Sequence, residues 1–66
     1  MNHALLDALE RELRLNIEWS DESGYWHIYA YDAAGERYAE ELSLEATVEQ
    51  LEQAARRVAA TRDRGL

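Results

Sequence analysis

The chain has 66 residues, with 14 Asp plus Glu against 7 Lys plus Arg, a formal net charge of −7 and no Cys, Pro or Phe. So short a chain has core enough for one domain, residues 1–66. Lack of Cys excludes disulfide scaffolds and thiolate zinc modules, the anionic balance disfavours direct nucleic-acid binding, and no apolar run reaches the roughly 20 residues that span a bilayer.

Residues 2–14 read as an amphipathic helix. Leu5, Leu6, Leu9 and Leu13 recur at helical spacing, and Asn2 is placed to cap the start. Asp7 with Arg11 and Glu10 with Arg14 are acid-before-base pairs at i,i+4. From Leu15 the period falls to two: Leu15, Ile17 and Trp19 alternate with Asn16, Glu18 and Ser20, the pattern of a half-buried strand. Asp21-Glu22-Ser23-Gly24 is a turn, and residues 25–32 form a second strand of high β propensity. Ala33-Ala34-Gly35-Glu36 is the next turn, followed by a third strand from Arg37 to Leu42. Thr47-Val48-Glu49-Gln50 fits a capping box, with Ser43 as an alternative cap one turn earlier. Val48, Leu51, Ala55 and Val58 make the stripe of the last helix, Arg56, Arg57 and Arg62 lie toward its end, and Gly65 is a plausible C-cap.

The expected fold class is therefore α+β: an α-β-β-β-α two-layer domain with a three-stranded antiparallel meander and both helices packed on one face. One helix on each face is the competing arrangement; short connections and one contiguous core favour the first. Parity sorts the side chains. Trp26, Ile28 and Ala30 join Leu15, Ile17, Trp19, Tyr38 and Leu42 as the expected core. The other face shows Tyr25, His27, Tyr29 and Tyr31 beside Asn16, Glu18, Arg37 and Glu41. Such a Tyr/His stripe can anchor a partner, since Tyr joins apolar area to a polar tip. It also suits strands on β propensity alone. The acidic surroundings disfavour the base stacking of RNA-binding sheets.

Charge is unevenly distributed. Residues 18–52 hold Glu18, Asp21, Glu22, Asp32, Glu36, Glu40, Glu41, Glu45, Glu49 and Glu52 against Arg37 alone, net −9, whereas residues 53–66 are net +3. Glu45, Glu49 and Glu52 form one ridge if the last helix starts early. Closely spaced carboxylates imitate a phosphate backbone, which carries one charge per roughly 3.4 Å along each strand. Acids at a helix start and a negative balance that maintains solubility explain part of the excess without any partner.

Catalytic chemistry is not indicated. His3 and His27 are the only imidazoles, no nucleophile elbow or Gly-rich phosphate loop is present, and Ser20-Asp21-Glu22-Ser23-Gly24 lacks the length of a calcium loop. The expectation is no enzyme, no cofactor and no metal site.

Gly24-Tyr25-Trp26 opening a strand, then Thr47-Val48-Glu49-Gln50-Leu51-Glu52-Gln53-Ala54 opening a helix, resembles the hairpin-then-helix segment of HicB antitoxins. That family begins with a strand where residues 2–14 here read as a helix, so the resemblance implies a shared β-β-β-α unit. In size and charge the chain also resembles small acidic anti-CRISPR proteins of phages, several of which act as DNA mimics. This second resemblance implies an inhibitor whose acids, Glu18 to Glu52, occupy the site of target DNA on a CRISPR effector. The expected partner is a basic nucleic-acid-binding protein in the bacterial cytoplasm, bound with no direct nucleic-acid or membrane contact, by a monomer or homodimer. The alternative is an antitoxin-like or adaptor module that binds through the Tyr/His face.

Overall fold

The computed structural model describes residues 3–65. It runs α1 (His3–Leu13), β1 (Asn16–Ser20), β2 (Tyr25–Tyr31), β3 (Arg37–Ser43) and α2 (Val48–Arg64), the expected α-β-β-β-α order. The expected Asn2 cap lies outside the described residues.

The end of α1 departs from the helical reading in an instructive way. Arg14 has φ of 56°, and the Leu15 N–H donates to the Glu10 carbonyl at 3.2 Å. This is a Schellman-type end whose left-handed position, usually glycine, is filled by Arg. Arg14 thereby leaves the helix face, and the expected Glu10–Arg14 pair does not form. Glu10 instead accepts the backbone N–H of Ile17 at 2.9 Å. The Asp7–Arg11 pair is not within ion-pair distance either. Because Glu10 reaches Ile17, α1 doubles back alongside β1.

The sheet is an antiparallel meander in the order β1-β2-β3. Its second turn is built by Asp32, whose Oδ1 accepts the N–H groups of Ala34 and Glu36, both at 2.9 Å. Gly35 supplies the positive φ, 85°, that closes it, and its N–H donates to the Asp32 carbonyl at 3.0 Å.

Both helices cover one face. Trp26, Ile28 and Ala30 of β2 are buried with Leu6 and Leu9 of α1, Leu15, and Leu51, Ala54, Ala55, Val58 and Ala59 of α2. The alanines let α2 lie close to the sheet, and Ile28 and Leu51 lose all contact with solvent. Ile17, Tyr38 and Leu42 pack at the margin of this core.

Trp19 corrects the expected core: it is 52% exposed, and Leu5 of the α1 stripe is 41% exposed. α2 lies over β2 and β3, while α1 packs chiefly on α2 and only lightly on β1. The far half of β1 therefore extends beyond the helical layer. Trp19 leans on its cross-strand partner Trp26, ring centroids 6.4 Å apart. Trp26 is buried with its indole N–H unpartnered among the described residues.

Thr47, not Ser43, caps α2. Its hydroxyl accepts the Gln50 N–H at 3.1 Å, and the Gln50 side chain accepts the Thr47 N–H at 2.8 Å. Ser43 instead accepts the Glu45 N–H at 3.2 Å, so Glu45 sits in the loop before the helix.

Candidate functional site

The uncovered sheet face carries the Tyr/His stripe as parity requires. Tyr25 and Tyr31 at its ends are about half exposed, and His27 and Tyr29 are half-buried. Ring centroids of His27 and Tyr29 are 5.2 Å apart, those of Tyr29 and Tyr31 6.1 Å apart, both edge-to-face. The Arg37 guanidinium lies 5.1 Å from the Tyr29 ring centre and also contacts His27 Nε2. Tyr29 donates its hydroxyl to Glu18 at 2.5 Å, which raises the phenol above its usual pKa. Across the sheet Glu18 pairs with His27, and His27 with Glu41.

The ten central acids do not share one face. Four are occupied internally. Glu18 holds Tyr29. Asp32 organises its turn and also accepts the Tyr38 hydroxyl at 3.0 Å. Glu40, on the helix side of β3, forms a two-pronged pair with Arg57, both contacts at 3.0 Å. Glu52 bonds Arg56, which also reaches Glu12 at 3.2 Å. These carboxylates raise both guanidinium pKa values, Glu52 ahead of Glu12 for Arg56 and Glu40 for Arg57. The ridge of Glu45, Glu49 and Glu52 is also divided, because the helix begins at Val48 and Glu52 is paired.

The remaining acids are sorted by topology. Tyr25 is the partner of both Ser20 and Ser43, so the β1–β2 turn and the β3–α2 loop leave the same end of the sheet. Asp21 and Glu22 from the turn, Glu41 from β3, Glu45 from the loop and Glu49 from the first turn of α2 gather there. None is within ion-pair distance of a described cation. Glu36 is separated from them, at the opposite end beside Asp32. At that end Arg14, Tyr31, Asp32, Ala33, Arg62 and Asp63 line a recess, Arg37 starts β3, and Arg64 ends α2. The molecule is thus polarised along the strands, acidic at the start of α2 and Arg-rich at its end.

Two residues with structural tasks were not singled out by the sequence reading for what they do. Glu10 occupies the outer edge of β1, and Arg62 is buried against the end of α1. Among the described residues no cluster of three or more His, Asp or Glu could hold a metal ion, and no helix is long and apolar enough to cross a membrane. No family model matches the chain, and no curated protein or solved structure matches it.

Proposed function

We propose that this chain is a non-enzymatic inhibitor whose acidic end occupies a basic, nucleic-acid-receiving surface on its target. The carrying observation is the convergence of Asp21, Glu22, Glu41, Glu45 and Glu49, from separate segments, at one end of the sheet, none of them within ion-pair distance of a described cation. Five carboxylates at one end of the sheet give that end a negative field, which steers a cationic groove toward it. The proposed target class is a CRISPR effector whose recognition of DNA would be blocked, in the cytoplasm of a bacterial host. The partner is a basic nucleic-acid-binding protein; the chain itself contacts neither nucleic acid nor membrane.

The test is displacement of target DNA from a guide-loaded effector by this chain, followed by gel shift at low and high salt. Inhibition should fall steeply with salt, and the triple reversal Glu41→Lys/Glu45→Lys/Glu49→Lys should abolish it. Inhibition insensitive to both would overturn an electrostatic mode.

The exposed rings of Tyr25 and Tyr31 favour a second reading, a HicB-like antitoxin or adaptor that binds through the Tyr/His face. In that case Tyr29→Ala should weaken partner binding more than any acid reversal.

A further inference from the structure

The two edges of the sheet are finished differently. On β1, the outward N–H of Ile17 is taken by Glu10. On β3, hydrogen-bond alternation identifies the outward groups. The Asp32 N–H donates to the Glu36 carbonyl, continuing the ladder in which Tyr38, Glu40 and Leu42 bond β2. Arg37, Ala39 and Glu41 therefore turn their N–H and C=O groups away from the sheet. No backbone group among the described residues bonds them. The Ser43 carbonyl, next along the edge, is already closed by the Ala46 N–H at 2.9 Å. The register of β3 is unbroken, with no bulge and no proline to protect the edge.

We infer that the chain pairs with a second copy of itself through this edge, β3 against β3, antiparallel about a two-fold axis centred on Ala39. Charge selects that register. Only outward-facing residues exchange bonds, so the registers that pair most of the strand are centred on Ala39, Glu40 or Glu41. Centring on Glu40 pairs the longest stretch, and Arg57 balances the two facing Glu40 side chains, but it sets Arg37 opposite Ser43 and Glu41 opposite Ala39, with no ion pair across the seam. Centring on Glu41 sets Glu41 opposite its own copy, with no described cation within ion-pair distance of either. Centring on Ala39 sets Arg37 opposite Glu41 of the second copy, and Glu41 opposite its Arg37, with two small side chains meeting at the axis. On the helix side the same register sets Tyr38 opposite Glu40, whose charge Arg57 already balances. The product is one continuous six-stranded sheet, with the two Tyr/His stripes on a shared open face and the acidic ends at opposite corners. This inference shares Glu41 with the inhibitor reading but rests on the β3 edge, and Ala39→Pro, which removes no acid, separates the two.

Sedimentation equilibrium of the intact chain and its variants tests it. The wild-type chain should dimerise. Ala39→Pro removes an N–H that bonds nothing within the monomer, so the fold persists while the edge is blocked. It should yield monomer. Arg37→Glu and Glu41→Arg should each weaken dimerisation by about tenfold or more, and the double exchange Arg37→Glu/Glu41→Arg should restore it. A wild-type chain that stays monomeric up to about 1 mM would overturn the inference. So would a dimer indifferent to Ala39→Pro, a dimer lost with Tyr29→Ala alone, or a double exchange that restores nothing.

Discussion

Arg62 of α2 holds the end of α1: its Nη1 donates to the Leu13 carbonyl at 2.8 Å, and to the adjoining Arg14 carbonyl at the same distance. The side chain is buried, and its Nε donates to Asp63 at 3.0 Å. A helix end leaves carbonyls unpaired, and here a cation from the other helix satisfies them and complements the dipole. Arg62→Met keeps much of the packing but removes these bonds. It should destabilise the fold by about 2–3 kcal/mol in urea titration. A loss under about 0.5 kcal/mol would refute the capping role.

The same helix end contains an unfavourable residue. Arg14 holds a left-handed φ of 56°. Arg14→Gly relieves that conformation, partly offset by the greater freedom of glycine in the unfolded chain. The expected outcome is a stability gain of about 0.5–1 kcal/mol, read as a higher urea midpoint with unchanged slope.

Acid should expose the task of Asp32. Its carboxyl is held below the usual range, first by the Glu36 N–H and further by the Tyr38 hydroxyl and the Ala34 N–H. A depressed folded-state pKa contributes stability above the unfolded value near about 4, and that contribution is lost as pH falls through the folded value. The stability difference between wild type and Asp32→Asn should thus be largest near neutrality and shrink progressively below about pH 4. A difference independent of pH would exclude this linkage.

At the alkaline end the sign reverses. Tyr29, bonded to Glu18, and Tyr38, bonded to Asp32, both have raised phenol pKa values. Their contribution is complete below the ordinary phenol value near about 10 and is lost as pH rises through the folded values. Ultraviolet titration should show the late-ionising signal of Tyr29 move down in Glu18→Gln, with that of Tyr38 unmoved.

Core and overhang should respond differently to truncation. Ile28→Ala should cost about 2–5 kcal/mol, whereas Trp19→Thr, at a half-exposed site with strong strand propensity, should cost about 1 kcal/mol or less. Equal losses in denaturant titration would place Trp19 in the core after all.

The element order was legible because each segment has its own period: Leu6, Leu9 and Leu13 at helical spacing, Leu15, Ile17 and Trp19 alternating, and Thr47 with Gln50 as a reciprocal cap. Parity in Tyr25–Tyr31 was equally readable, since one-sided burial of a strand enforces alternation. Periodicity could not place Trp19, because the reach of the helical layer over β1 depends on how α1 leans on α2. Nor could it assign Arg62, although Leu51, Ala55, Val58 and Arg62 continue one helical stripe. The stripe shows that Arg62 faces inward, but the carbonyls it meets come from the other helix.

The acidic excess shows the same division. Composition and order alone established a −9 middle and a +3 tail, because charge is additive along a chain. Tertiary structure decided which carboxylates are spent internally, on Arg56, Arg57, Tyr29 and the Asp32 turn, and which lie beyond ion-pair distance of every described cation. It also collected Asp21, Glu22, Glu41, Glu45 and Glu49 at one end of the sheet. The reason is geometric: an antiparallel meander returns every second connection to the same end, so acids distant in sequence become neighbours through strand pairing.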